Sequence, residues 1–228
     1  MEELYKKTLD RLKAELKKQL PEIEANGDWL WHHPEAGFKE TETQKYCLEV
    51  LKNHGFEACT WPDVTGFTCT YDTGRPGPCV MIMGEMDSLI CYSHPDCNPE
   101  TGAAHACGHS IQVATAMGAF ITLTESGVLE NFGGKVMLAG VPAEECLEIE
   151  WRTREIQKGR LHYLCGKAEL LYRGAFDGVD IVISMHAGLG NDGTITILGS
   201  HNGFISKNVT FQGRSAHAAA DPENGINA

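Results

Sequence analysis

The sequence predicts an α/β protein, with a mostly parallel sheet flanked by helices and then the start of a smaller α+β unit. Three observations lead there. First, an apolar run that opens into acid or imidazole occurs three times. Val80-Met81-Ile82-Met83-Gly84 runs into Glu85-Met86-Asp87, Val136 to Val141 into Pro142-Ala143-Glu144-Glu145, and Ile181 to Met185 into His186. Strands buried on both faces by helices read as continuous apolar runs of this kind, and Gly77-Pro78 before the first run and Gly84 at its end favour strand over core helix. Second, helical stretches separate the runs, so the alternation implies right-handed crossovers and a parallel sheet. Third, the pattern changes after His186 to alternating strands, Thr194 to Leu198 and Ile205 to Gln212, which begin a second unit.

The elements follow in order. Leu9, Leu12, Leu16 and Leu20 share one face of an amphipathic helix, which is read as a core-packing face. Pro21 is expected to kink or restart that helix. His32 and His33 are adjacent and do not face each other on a helix, so they are read as structural. Thr41 to His54 forms a second helix with Gly55 as its C-cap. Phe56 to Trp61 and Gly66 to Asp72 form a hairpin or edge pair, closed by the turn Asp72 to Pro78. Ile90 to Ala104 is a loop that carries His94 and Cys97 as solvent-exposed residues. Ser110 caps a helix running to Leu129, and residues 146 to 177 are largely helical. Pro222 opens a further helix near the last residue, Ala228. No internal repeat occurs.

Composition excludes several classes. The 228 residues carry a net charge of −12, the wrong sign for a nucleic-acid binder, whose surface must neutralise phosphates. No apolar stretch reaches the roughly 20 residues needed to span a bilayer. The charged N-terminus lacks a signal-peptide apolar region, so the protein is expected to be cytoplasmic. The nine cysteines are odd in number and contain no CxxC pair, so they read as reduced and mostly buried small hydrophobes.

Cys107 stands apart, because His105-Ala106-Cys107-Gly108-His109 crowds three metal-capable side chains into five residues. In open α/β sheets, ligand sites form beyond the carboxyl ends of the strands. Three strands delivering Glu85 and Asp87, Glu144-Glu145, and His186 to one edge, next to Cys107 and His109, make a metal-site arrangement. Thiolate, imidazole and carboxylate suit Zn²⁺, and with more oxygen ligands Mn²⁺ or Co²⁺. Of two adjacent acids, one can bind metal while the other serves as general base. A metal-bound water is a hydroxide nucleophile near neutral pH, which hydrolyses amides and esters.

Gly84 to Leu89, His105 to His109, Gly140 to Glu145, Met185-His186 and Ser215-Ala216-His217-Ala218 stand in the order and spacing of the aminoacylase-like di-metal amidohydrolases of the peptidase M20 family. The resemblance runs from about Trp29 to the last residue. The group includes hippurate, auxin-conjugate and p-aminobenzoyl-glutamate hydrolases, and Arg173 to Asp180 resembles the last of these. The resemblance implies two divalent metal ions held by Cys107, His109, Glu145 and His186, with Glu144 as general base and Asp87 as the supporting carboxylate. Glu85 sits where relatives have a metal-proximal acid or histidine. His217 resembles the lid-domain histidine that reaches the partner's site in dimeric relatives and stabilises the tetrahedral oxyanion. The implied activity is hydrolysis of an N-acyl amino acid, an aminobenzoyl-glutamate-like or a dipeptide-like amide. The implied assembly is a homodimer when full length.

The chain departs from the pattern at Ser110, where Asp or Asn is usual, and at Ser88-Leu89-Ile90, where Ala-Leu-Pro is usual. The last metal-binding histidine of the family lies beyond the sequence. Residues 1–190 then correspond to the N-terminal part of a catalytic domain, and 191–228 to the beginning of a truncated lid or dimerisation domain. Two rivals follow: an inactive fragment or pseudoenzyme acting through binding, and a thiol hydrolase using Cys107 with His105 or His109. The second leaves Glu144, Glu145 and His186 without a task.

Overall fold

The computed structural model describes residues 2–188, 195, 203, 205, 207 and 209–228. The chain divides into two units, Met1–Leu189 and Gly190–Ala228. In the first, a 31-residue helix α1 (Glu2–His32) and α2 (Thr41–Asn53) precede an antiparallel hairpin, β1 (Ala58–Trp61) and β2 (Val64–Asp72). Then come β3 (Cys79–Glu85), a small ribbon of β4 (Leu89–Ile90) and β5 (Ala103–Ala104), α3 (His109–Glu125), β6 (Lys135–Val141), α4 (Ile149–Gln157), α5 (Gly166–Tyr172) and β7 (Ile181–Ser184).

The five-stranded sheet has the order β1-β2-β6-β3-β7. The three apolar runs are its parallel strands β6, β3 and β7, while the hairpin joins β6 through antiparallel β2. The sheet is therefore mixed, with three parallel strands and the antiparallel hairpin beside them. A hairpin strand needs no crossover helix, which lets β2 add antiparallel at that side.

Alternation along the strands divides the core. Ile82, Leu138, Phe67 and Cys69 pack with Val113, Met117, Phe120 and Ile121 of α3, Leu51 of α2 and Leu30 of α1. Met81, Met83, Ala139 and Val141 pack on the other face with Leu161, Leu170 and Ala175. Full burial of side chains such as Phe120 or Leu138 contributes roughly 1.5–3 kcal/mol each. Two glycines permit the closest approaches. A Cβ on Gly84 would stand 2.9 Å from Val113 Cα, so α3 rests directly on β3, and one on Gly140 would meet the Phe67 ring.

Several local expectations change. α1 passes through Pro21 without a break, and both Pro21 and the residue a turn earlier, Lys17, are exposed. Its leucine face is not the packing face: Leu16 is 43% and Leu20 46% exposed, while Glu15, Gln19, Asn26 and Leu30 are buried. Polar pairing turns the helix, since Gln19 donates to Glu15 and to Glu125 of α3, and Asn26 accepts from Tyr46. Residues 146 to 177 form two short helices. Buried Glu169 folds the intervening loop back by accepting the His162 and Tyr163 N–H groups at 2.7 and 2.9 Å.

Gly55, at φ +80°, ends α2 as expected, with Phe56 N–H reaching Leu51 O. Ser110 does not cap α3. Gly108 takes the cap position at φ +99°, and Ser110 is buried inside the first turn. His32 and His33 bond carbonyls of α1, and His33 stacks on Trp29. His94 lies edge-on to Trp31, and the Cys97 thiol donates to Tyr92 O. All nine cysteines are free, but only Cys47, Cys69 and Cys79 are buried. Among the described residues, no helix is long and apolar enough to cross a membrane.

In the second unit, Arg214 bridges Ile226, and Pro222–Asn224 forms a single 3₁₀ turn instead of a longer helix. Of the predicted strands, Thr194 to Leu198 lies outside the described residues except Ile195, and Val209 to Gln212 is described without strand pairing.

His54 links three helices, with Nδ1 2.5 Å from Glu125 and Nε2 3.0 Å from Glu22. Burial alone would lower its pKa, but the two carboxylates outweigh burial and raise it. The stabilisation is therefore fully present below the unfolded histidine value of about 6.5 and is lost as pH rises through the folded value. His54→Gln is expected to lower Tm at pH 6 and to have little effect at pH 9. Equal Tm losses at both pH values would contradict this linkage.

Candidate metal centre

The sheet order brings the C-terminal ends of β6, β3 and β7 side by side. In the β3–β6 register Glu85 lies opposite Val141, and the Met86 N–H donates to Val141 O at 2.8 Å. The segments after the two strands consequently leave together. The Glu145 N–H donates to Asp87 Oδ2 at 2.9 Å. α3 starts over the same edge with His109, and Gly108 makes the turn that sends Cys107 alongside it. His186 is the second residue after β7.

Two overlapping groups result. Ligand atoms of Cys107, His109 and His186 lie within 4.8 Å of one another, as do those of Glu85, His109 and Glu144. Cys107 Sγ is 3.4 Å from His186 Nε2, and the His109 and His186 rings meet edge to face at 5.6 Å. His109 is 1% exposed. Its Nδ1 donates to Asp87 O at 2.9 Å and lies 3.2 Å from Asp87 Oδ1. That bond leaves Nε2 facing the cluster, 3.1 Å from Glu85 Oε2 and 4.0 Å from Glu144 Oε2. Nε2 is off the hydrogen-bond direction and remains without a hydrogen-bond partner, as does Asp87 Oδ1.

The charged groups perturb one another. Burial disfavours the His109 cation, but the Asp87 and Glu85 carboxylates outweigh it and lift the pKa to about 10. Burial would raise Glu85, yet His109 and the Lys167 ammonium, which contacts Glu85 directly, bring it down to about 2. Lys167 also stands 3.7 Å from Glu144. Glu144 is raised, first by burial and then by Glu85, with Lys167 opposing. The Cys107 thiol is pushed up to about 12 by burial and by the Glu145, Glu144 and Glu85 carboxylates around it. A thiolate nucleophile requires the opposite environment, whereas a bound cation would reverse this one.

An inward-facing imidazole nitrogen without a partner, a second imidazole, a thiol and several carboxylates fit a divalent cation. His109 carries the usual orienting bond on its other nitrogen. Cys107, His109 and His186 come together, and Glu144 joins through His109. Glu145 is outside both groups. It is half-buried, tied to Asp87 by its backbone and beside the Cys107 thiol. His217 belongs to the second unit, where its Nδ1 accepts the Ala219 and Ala220 N–H groups. Lys167 and Gln112 join the site without having been read from the sequence. Gln112 accepts the Glu85 N–H at 3.0 Å and donates to Ser184 Oγ at 3.1 Å. A lysine and a glutamine on predicted helices carry no signal of their own, since their partners lie far away in the chain.

The turn carrying the two acids is constrained. Ala143 has φ +49°, a left-handed conformation that costs a non-glycine residue roughly 1–2 kcal/mol. Its carbonyl accepts the Gly166 N–H at 3.0 Å, which fixes α5 and Lys167 against the turn.

Comparison with known proteins finds relatives among hydrolases. Over 180 residues the chain is 33% identical to a p-aminobenzoyl-glutamate hydrolase component of Escherichia coli K12, covering 72% of the chain and 36% of that protein. It is 31% identical over 178 residues to indole-3-acetyl-aspartic acid hydrolase of Enterobacter agglomerans, covering again 72% and 36%. The chain is a homologue of the aminoacylase-like amidohydrolases. The likeness extends over part of their length, since the chain spans little more than a third of these relatives. Its fold matches a dinuclear metal-binding M20-family peptidase from Bacillus subtilis with a TM-score of 0.59 at 24% identity, over 77% of this chain and 44% of that one. No protein-family model matches the chain.

Lys167→Met removes the cation shared by Glu85 and Glu144. Breaking such a pair leaves buried negative charge uncompensated, and the half-exposed lysine reduces the effect. The metal-free chain is expected to lose about 1–2 kcal/mol on this scale, measured by urea unfolding in chelator. An unchanged midpoint would show that the pair does not balance the site.

Proposed function

We propose that the protein is a metal-dependent amidohydrolase that cleaves an N-acyl amino acid, an aminobenzoyl-glutamate-like or a dipeptide-like amide. The observation that supports this reading best is the convergence of Cys107, His109 and His186 at one sheet edge beside Glu144 and Glu145. The relatives' names pair an aromatic acyl group with glutamate or aspartate, so an acidic amino acid is the preferred leaving group to test.

Cys107, His109, His186 and Glu145 would hold two divalent ions, Zn²⁺ by the softness of thiolate and imidazole, with Mn²⁺ or Co²⁺ as alternatives. Such ions supply Lewis-acid activation of water and of the amide carbonyl. Asp87 holds the His109 Nδ1–H and thereby aims Nε2 at the cluster. Glu144 accepts the proton of the attacking water and returns it to the leaving nitrogen, a task suited to a carboxylate whose pKa is raised. Glu85 and Lys167 set the charge around it. His217 serves as oxyanion donor across a homodimer, and the nine free cysteines suit the reducing cytoplasm.

In the natural full-length chain, Glu144→Gln should retain metal while losing about 10²–10⁴-fold in kcat, the span of general-base catalysis. Glu145→Gln should lose metal together with activity. Near-wild-type rates for both variants on an N-acylglutamate would sink the assignment. Cys107→Asp should keep some metal and activity, because carboxylate is also a ligand. An acyl group trapped as a thioester on Cys107 would instead establish a thiol nucleophile.

A further inference from the structure

We propose that Glu40 is a positioning residue for this site: its buried side chain holds the Ala143 peptide and so sets the direction in which Glu144 and Glu145 leave β6. The inference rests on the reading of Glu144 and Glu145 given above, and it assigns a task to a carboxyl group that this reading does not use.

Glu40 is 0% exposed and precedes α2, more than a hundred residues from the turn it touches. An acid in such a place is costly unless its oxygens are satisfied. Both are: Oε1 accepts the Ala143 N–H at 2.8 Å, and Oε2 accepts the Thr65 hydroxyl at 2.5 Å. Thr65 belongs to β2, the antiparallel neighbour of β6, so the carboxyl group ties the turn back to the sheet from which it emerges.

The residue it holds is the strained one, Ala143 at φ +49°. A non-glycine residue stays in the left-handed region only where its surroundings over-determine it. Here the restraints fall on three successive peptides. Glu40 takes the Ala143 N–H, Gly166 supplies an N–H to the Ala143 carbonyl, and Asp87 takes the N–H of Glu145 two residues on. Gly37, three residues before Glu40, lies so close that a Cβ there would stand 2.6 Å from Ala143 Cα. The segment from Gly37 to Glu40 is shaped around this turn, and two buried carboxyl groups, Glu40 and Asp87, grip it at alternate peptides. Glu40 acts on the acids only through the backbone. Burial, and next Asp87, push its pKa up to about 8, so a neutral group of the same reach can replace it.

The test compares Glu40→Gln, Glu40→Asp and Glu40→Leu in the natural full-length chain. Folding is followed by far-UV circular dichroism, Co²⁺ uptake by visible absorption, and kcat and KM are measured on an N-acylglutamate. Gln keeps the length and the acceptor oxygen, so it should retain wild-type Co²⁺ affinity, absorption spectrum and kcat. Asp keeps the charge but is one methylene too short. Asp and Leu should fold, show an altered Co²⁺ spectrum, and lose about 10–100-fold in metal affinity or kcat with KM little changed, as for outer partners of metal sites. Wild-type spectra and kcat in Asp and Leu, or a Gln variant as impaired as Leu, would overturn the inference. If Asp and Leu do not fold, Thr65→Val, which frees one end of the carboxyl group, should shift the Co²⁺ spectrum, and a wild-type spectrum there overturns it instead. A wild-type chain that takes up no Co²⁺ and cleaves no N-acylglutamate would refute the functional reading and this inference together. A competent wild type with indifferent Glu40 variants refutes the inference alone.

Discussion

The parallel pairing of β3 on β6 is the constraint on which the rest depends. With Glu85 opposite Val141, the acids that follow each strand emerge at one level, and Asp87 lies under the Glu145 peptide. A slip of one residue would exchange the faces of Met81, Ile82 and Met83 and turn the site residues away from each other. The two-sided core forbids it, because Ile82 is committed to α3 and Met81 and Met83 to the opposite layer. The absence of a side chain at Gly84 completes the geometry. It lets α3 settle onto β3, so that His109, the first residue of that helix, begins over the carboxylates of the strand below.

The site concentrates charge where a folded chain ordinarily avoids it. Glu85, Asp87, Glu40 and His109 are all nearly or fully buried, and each would be costly alone. The structure offsets them against one another. His109 sits between Asp87 and Glu85, Lys167 spans Glu85 and Glu144, and a backbone N–H bonds one oxygen each of Glu40 and Asp87. The offset is incomplete at His109 Nε2 and Asp87 Oδ1. Natural proteins break local rules of this kind at functional sites and compensate elsewhere. The left-handed Ala143 is the backbone counterpart of the same pattern.

Much of the site was legible because it is coded locally. Cys107 and His109 are two residues apart, and Glu144-Glu145 and His186 each follow an apolar run, so recognising the runs as neighbouring parallel strands was enough to bring Glu144 and His186 to one edge with Cys107 and His109, with Glu145 beside them. The leucine stripe of α1 misled for a physical reason. Periodicity reports which residues share a face, but the choice of packing face was made by Gln19, Asn26 and their partners on other helices. The largely helical stretch expected over residues 146 to 177 proves to be two short helices, since Glu169 bends that segment through bonds to a loop that no periodic pattern announces.

The sequence by itself determined the three strands, the acids and imidazole at their ends, and the donor types of the candidate metal centre, because these follow from short-range pattern and side-chain chemistry. Only the tertiary structure decided which groups face each other. It placed Glu85 against His109 and Lys167, left Glu145 beside the cluster, and brought Glu40 across to Ala143. Those choices depend on strand register, on a helix lying where a glycine admits it, and on hydrogen bonds between residues far apart in the chain. None of these is a property of any one segment.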